Sequence, residues 1–423
     1  MQQLFLKDGK MMTDKRVVVT GIGMITPVGN STEETFNSLL NGKSGITKVT
    51  LCDTSDIEVK IAGEVKFNPS KYLDNKQQKR MDRFTQFAII AANEAINDSS
   101  LNISKISNEI GVIIGCGIGG LTTLEEQYDV LRNKGPQRVS PLLVPMYIAD
   151  MAAGQISIQH GVKGPSFDTV SACASGTDAV GTAYEIIKRG DSIAMIAGGA
   201  EAAITRLGLS AFRASRTLSI KDNERPEEAS KPFDKNRDGF VLAEGASTLI
   251  LEEKEHAEKR NAKIYAEVVS YSQTSDAFHI TQPSENGEGA VRAMQKALLK
   301  ANIDPEAINY INAHGTSTAL NDKNETSAIK KVFSKHAYEI PINSTKSMIG
   351  HTLGAAGAIE AAVTVLSVKN QKVHPTINLK NPDEECDLDY VIEGERNIQI
   401  EYAMSNSFGF GGHNGVLIFK QYQ

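Results

Sequence analysis

The chain has 423 residues, 40% of them hydrophobic, and its 45 basic and 51 acidic side chains leave a net charge of −6. This composition belongs to ordinary globular chains and excludes disorder and collagen-like repeats. No global positive charge recruits nucleic acid or an anionic membrane, so any acidic partner needs a local basic patch.

At about 150 residues per domain the length allows roughly three domains, fewer if large α/β units fuse. The first residues, MQQLFLKDGKMMT, hold a short apolar trio broken by Lys7 and Asp8. They lack the apolar core and cleavage site of a signal peptide. Residues 1–13 therefore read as a dispensable N-terminal extension ahead of an alternative start at Met12. From Lys15 the run RVVVTGIGMITPVGN predicts a buried strand ending in glycines. Further strands are predicted at Ile110–Ile114, Ser192–Ala197, Ser247–Leu251, Ile308–Ala313, Ile340–Asn343 and Gly415–Phe419. Helical patterns fall at Arg83–Ile96, Gly176–Arg189, Gly289–Lys300, Asp322–Phe333 and Ala355–Asn370. Such alternation predicts parallel sheets covered on both faces. The charged stretch Leu251–Lys263 is the predicted seam between two α/β halves, 14–260 and 261–423. No residue-level repeat relates them. The longest apolar runs, Ser192–Ile204 and Met348–Val368, are broken by Glu201, His351 and Glu360, so no transmembrane helix is predicted. Four cysteines without CxxC spacing offer no metal framework and suit a reducing cytoplasm.

Two familiar motifs fail. Gly115-Cys116-Gly117-Ile118-Gly119-Gly120 fits GxGxxG, yet the helix and acid-tipped strand of a dinucleotide site are not expected after it, so a structural loop is preferred to a nicotinamide-dependent oxidoreductase. Asp234–Gly239 opens like a calcium loop, but Gly245 stands where the bidentate acid belongs. The segment FDTVSACASGTDAVGTAYEIIKRG is more informative. It places Cys173 on a strand-to-helix turn, where unpaired N–H groups and the helix dipole favour a thiolate nucleophile, and where taken alone a buried structural cysteine is an equal reading. His314 in NAHGTST ends one predicted strand, and His351 in STKSMIGHTLGAAG follows another, with Lys346 between. Ligand sites in α/β folds gather beyond strand carboxyl ends, so one Cys and two His at three such ends form a candidate site. NSFGFGGHN reads either as a glycine turn or as a donor of a backbone N–H to an oxyanion, with Phe410 as a movable wall.

Together, VVVTGIGMITPVGN, GPS…SACASG, KPFDKNRDGFVLAEGA, NAHGTST, STKSMIGHTLGAAGA, NPDEECDLDYV and NSFGFGGHNG resemble the condensing-enzyme family, closely the class II type of beta-ketoacyl-[acyl-carrier-protein] synthase. The likeness runs from about Lys15 to Lys420. It implies the thiolase-like fold, two similar α/β halves forming a five-layer αβαβα sandwich, usually as a homodimer. It implies fatty-acid chain elongation by decarboxylative Claisen condensation, with the acyl chain held on Cys173 and with His314 and His351 binding the malonyl thioester carbonyl. Lys346 resembles the family's active-site lysine, whose glutamate partner is matched here by Glu325, both organising the site. Thr316 and Thr318 match threonines that bind the phosphopantetheine arm, Phe410 the gating aromatic, and Ile118 the residue at the acyl tunnel. No cofactor is implied beyond that carrier-borne arm, and a structural cation near Glu360 is left open.

The family's carrier is a small acidic protein. Lys71, Lys76, Lys79, Arg80 and Arg83 outweigh Asp74 and Asp82, and Arg206, Arg213 and Arg216 lie further on. The resemblance singles out Lys79, Arg80 and Arg216 for carrier docking. The rival readings are a polyketide-type ketosynthase, a thiolase, which would need a second active-site cysteine whereas Cys386 sits in acidic DEECDLD, and a non-catalytic partner subunit, against which Cys173 argues. His413 departs from the threonine common at its position. Acyl-length preference depends on packing that sequence does not specify.

Overall fold

A computed structural model describes residues 14–423, together with the backbone of a short antiparallel pair, Leu6–Lys7 and Lys10–Met11. The extension expected over 1–13 otherwise lies outside the described residues. The first half comprises β1 (Val17–Ile25), α1 (Arg83–Ser99), β2 (Ile110–Gly115), β3 (Ser166–Thr169), α2 (Ser175–Lys188), β4 (Ala194–Glu201) and β5 (Gly245–Glu253). The second comprises β6 (Ala266–Ser275), α3 (Glu288–Ala301), β7 (Ile308–Asn312), α4 (Ala319–Phe333), β8 (Ile342–Asn343), α5 (Ala356–Asn370), β9 (Tyr402–Gly409) and β10 (His413–Gln421). Of the predicted seam, Lys254–Lys259 is a short helix leading into β6.

The ten strands form one hydrogen-bonded series, β3-β2-β4-β5-β1-β6-β10-β9-β7-β8. The order β1-β5-β4-β2-β3 of the first half recurs as β6-β10-β9-β7-β8 in the second, and β1 meets β6 antiparallel through Val17–Val19. The duplication that no residue repeat reveals is thus explicit in the topology. Strand direction corrects the expectation of parallel sheets. Pairs β2–β3, β2–β4, β7–β8 and β7–β9 are parallel, but β4–β5, β5–β1, β9–β10 and β10–β6 are antiparallel. A parallel return needs a crossover, usually a helix, whereas β9 and β10 are joined by a tight glycine turn and an antiparallel hairpin results.

Every residue of β1 is buried, as expected of strands with both faces covered. One outer layer is α1, whose Phe84, Phe87 and Ile89 pack with Val112, Ile114, Ile196 and Ile250. The other is formed by α3 and α4, which place Met294, Ile329 and Phe333 against Ile311 and Ile418. Between the sheets lie α2 and α5, where Val180, Ile187, Ile359 and Val363 meet Val17, Leu249 and Phe419. These are the five layers αβαβα. Helix α5 is buried from Ala356 through Val368, the pattern of a core helix with no solvent face. Its approach to α2 depends on Gly176, where a Cβ would stand 2.6 Å from the Ala358 nitrogen. Among the described residues no helix is long and apolar enough to cross a membrane.

Candidate active site

Beyond β3 the chain makes a single 3-10 turn, Ala172–Ala174, and enters α2. Ala172 holds φ +52°, a left-handed conformation that costs a non-glycine residue free energy and must be held by its surroundings. The restraints are visible. Ser175 Oγ accepts the Ser171 N–H at 2.9 Å and donates to the Ala172 carbonyl at 2.7 Å, while Ser171 Oγ donates to Asp178 at 2.5 Å. Cys173 is thereby presented, 7% exposed, to a cavity of about 360 Å³. Burial pushes its thiol up to about 11, against the opposing pull of the Lys346 charge and the Phe410 N–H. The expected resting thiolate is corrected accordingly, because desolvation outweighs the helix-end stabilisation.

The second half supplies the histidines. Beyond β7, the His314 and Gly315 N–H groups each donate at 2.8 Å to the two oxygens of Glu325, which reaches up from α4. Burial pushes that carboxyl up to about 7. His351 docks its backbone on Val241 and Ala243, and its Nδ1 accepts the Leu353 N–H at 3.2 Å. Its Nε2 is buried without a partner, so the neutral ring directs an N–H into the site. The imidazole centroids are 5.5 Å apart and nearly perpendicular, flanked by Phe408 and Phe240. Burial, with the Lys346 charge adding to it, holds both imidazoles well below 6.5.

Lys346 lies behind this pair. Its Nζ donates to the His314 carbonyl at 2.8 Å and stands 3.3 Å from His314 Nδ1, which assigns the N–H of that ring to Nε2. Its carboxylate partner is Glu360 on α5, not Glu325 as the resemblance suggested. Glu325 is already occupied by two backbone N–H groups, whereas Glu360 comes from the buried helix that runs beneath the site. Burial raises Glu360 despite the lysine. The buried oxygens Asn312 Oδ1, Ser405 Oγ, Asn406 Oδ1 and Glu360 Oε2 have no partner.

The cavity joins most of the residues predicted from sequence. Cys173, His314, His351, Thr316, Thr318, Phe410 and Arg216 line it, and the hydroxyls of Thr316 and Thr318 are 2.8 Å apart. Ile118 does not line it but packs in the apolar cluster beside Cys173, Leu353 and Phe240. Lys79 and Arg80 are exposed at the end of the helix Asn75–Gln78, and among the described residues neither they nor Arg216 forms an ion pair. The wider basic cluster is smaller than its sequence suggested. Arg83 is bound to Glu244 at 2.8 Å and lies over the Phe67 and Phe87 rings, while Arg206 pairs with Asp56 and Arg213 with Glu58.

A helix, Leu121–Lys134, does follow the GxGxxG loop, contrary to expectation, but the loop's Gly117 and Ile118 N–H groups are bound to Glu201. Asp234 and Asp238 likewise accept backbone N–H groups, from Lys380 and Asn381 and from Ile220 and Lys221. Cys386 belongs to the outer core with Tyr390, away from the cavity, as a thiolase's second cysteine would not. Sequence reasoning missed Glu360 as the partner of Lys346, and missed Glu201, Phe240, Phe408 and the Leu353 N–H. Only the two glutamates left a signal, as isolated charges inside apolar runs.

A duplicated αβαβα core that brings a buried cysteine and two neutral imidazoles to one cavity defines an acyl-transferring condensing enzyme of thiolase fold. Residues 14–257 match the model of the beta-ketoacyl synthase N-terminal domain, and 265–380 that of its C-terminal domain. The chain is 53% identical over 411 residues to the 3-oxoacyl-[acyl-carrier-protein] synthase 2 of Synechocystis sp., covering 97% of this chain and 99% of that protein. It is 51% identical over 415 residues to the enzyme of the same name from Staphylococcus aureus, covering 98% and 100%. A beta-ketoacyl synthase structure from Burkholderia phymatum superposes with TM-score 0.90 at 36% identity, over 97% of this chain and 100% of that one. So does a chain of the structure of a type II PKS acyl-carrier protein in complex with its ketosynthase, at TM-score 0.90 and 37% identity, over 97% of this chain and 100% of that one. The chain belongs to the beta-ketoacyl synthase family.

Proposed function

We propose that this protein elongates fatty acyl chains by condensing malonyl-[acyl-carrier-protein] with an acyl-[acyl-carrier-protein], giving 3-oxoacyl-[acyl-carrier-protein], carbon dioxide and free carrier. The observation that carries this reading is Cys173 on its strained turn, facing two neutral imidazoles whose Nε2–H groups share its cavity. In the first step Cys173 Sγ attacks the acyl thioester, and the thiol proton ends on the departing carrier sulfur. Malonyl thioester then places its carbonyl oxygen between His314 and His351. Loss of carbon dioxide leaves an enolate, which the two N–H groups stabilise without being charged themselves. The enolate carbon attacks the acyl-Cys173 carbonyl, the N–H groups of Cys173 and Phe410 meet the new oxyanion, and collapse expels the Cys173 thiolate, which takes up one proton. Lys346 fixes the His314 tautomer through Nδ1 and the backbone carbonyl, and Glu360 balances its charge.

Arg216 at the cavity and the exposed Lys79 and Arg80 support an acidic carrier as partner. A homodimer is supported by β3, an edge strand with Phe167 38% exposed, followed by Val170, 64% exposed. Glu360 Oε2, buried without a hydrogen-bond partner among the described residues, would suit a hard cation in a structural role. Four unpaired thiols support a reducing, cytoplasmic location. The test is carbon dioxide release and 3-oxoacyl formation from malonyl-carrier and a graded acyl-carrier series, beside Cys173→Ala. The wild type is expected to condense and to carry an acyl mass on Cys173, with condensation falling at least ~10³-fold in the variant. A wild type that does neither overturns the reading.

A further inference from the structure

Glu201, the last residue of β4, is fully buried and has no cation among its described partners. Its four contacts come from two separate segments. Oε2 accepts the Gly117 N–H at 2.8 Å and the Gly354 N–H at 3.0 Å, and Oε1 accepts the Ile118 N–H at 3.3 Å and the Cys116 thiol at 3.3 Å. The carboxylate therefore fastens the glycine loop 115–120 to the turn Leu353–Ala355. Both segments border the nucleophile. Leu353 lines the cavity and donates its N–H to His351, and Ile118 packs with Cys173, Leu353, Leu209 and Phe240. The imidazoles occupy the polar side of Cys173, so an acyl chain on Sγ has this apolar cluster as its hydrophobic surroundings. The loop cannot hold Ile118 by its own stiffness, because it contains four glycines and Gly119 has φ +86°.

We propose that Glu201 is the positioning residue for acyl length, tying the Ile118 loop to the Leu353–Gly354 turn so that a long chain meets a preorganised wall. This rests on the acyl-Cys173 reading above. Glutamine cannot replace it, since a carboxylate accepts on both oxygens whereas an amide turns an NH2 group against two of the donors. A short acyl group covers less of the wall than a long one, and malonyl decarboxylation draws on the clamp only through the Leu353 N–H on His351, so both depend on it less than a long chain does.

The experiment compares wild type, Glu201→Gln and Gly117→Ala for Cys173 acylation from C4 and C14 acyl carriers and for carbon dioxide release from malonyl-carrier. Gly117→Ala presses on the clamp from the other side, its Cβ falling 2.8 Å from Glu201 Oε2. Glu201→Gln is expected to lower the C14-to-C4 acylation ratio at least ~10-fold with decarboxylation within ~2-fold, and Gly117→Ala to move the ratio the same way by less. A ratio unchanged or raised in both variants, or a uniform fall that includes decarboxylation, overturns the proposal. If Glu201→Gln does not fold, Gly117→Ala decides. A wild type that is never acylated overturns the function itself, which separates the two failures.

Discussion

The two halves share a strand order and a joint, yet use that joint differently. After the edge strand β3, Ala172 at φ +52° opens a 3-10 turn that leads into α2; beyond β8, Leu353 at φ +48° opens the corresponding turn into α5. The second position of the first turn is Cys173, and that of the second is Gly354. One presents a side chain to the cavity, and the other gives only a backbone N–H, which Glu201 takes. Duplication has kept the backbone device and divided its tasks. The first half carries the nucleophile, and the second carries both imidazoles and the lysine behind them.

The sharpest way to test this division is to remove the charge that serves the second half. Lys346→Met leaves Glu360 buried without its partner, and a loss of about 3–5 kcal/mol is expected in urea melts at neutral pH. Glu360→Gln in the same chain removes that unpaired buried charge and should restore part of the loss. Additive losses in the double variant would show that the pair is not a unit. The next test sets the two turns against each other. At Gly354 a Cβ would fall 2.2 Å from the Gly117 nitrogen and 2.8 Å from Glu201 Oε2, so Gly354→Ala is expected to cost about 1–3 kcal/mol. Cys173→Ala, which only removes a sulfur beside a cavity, should cost less. Equal losses would mean that the turns are structurally alike and that the comparison has no energetic content.

The order of elements and the chemistry at strand ends were readable because strands, helices and glycine turns leave local patterns. Cys173, His314 and His351 each followed an apolar run, and the structure brings them together. Strand direction was not readable, since the apolar run of β5 looks the same whichever way it points. The lysine's partner was not readable either. Glu325 and Glu360 both lie on helical patterns, and only packing shows that α4 turns its carboxylate to the His314 backbone while α5 runs beneath Lys346. Glu201 served at first only to break an apolar run. An acid ending a strand whose other residues are all buried is itself a signal, because such a carboxylate must find donors.

The subtlest difference between the halves is in their titration. Both imidazoles are held well below 6.5 by burial and then by Lys346, so they remain neutral donors as the pH falls through 6.5. Decarboxylation of malonyl-carrier by Cys173→Ala, which needs only these donors, should therefore stay flat between pH 8 and about 6. Stability behaves otherwise. In the unfolded chain the same histidines take up protons near 6.5, so the stability present above that pH is lost as pH falls towards the lower folded values. Glu325 and Glu360, both raised to about 7, act in the opposite sense over the same range, so the melting temperature reports the balance of the two while activity per folded molecule stays constant. On the other side of the cavity, a thiol pushed up to about 11 should make alkylation of Cys173 by iodoacetamide rise roughly tenfold per pH unit across the neutral range. Decarboxylation halved at pH 6.5 would mean that the imidazoles are not held neutral by burial. An alkylation plateau near pH 7 would mean that the strained turn and its helix stabilise the thiolate more than burial opposes it. Either result would locate the misjudged environment in one half without disturbing the other.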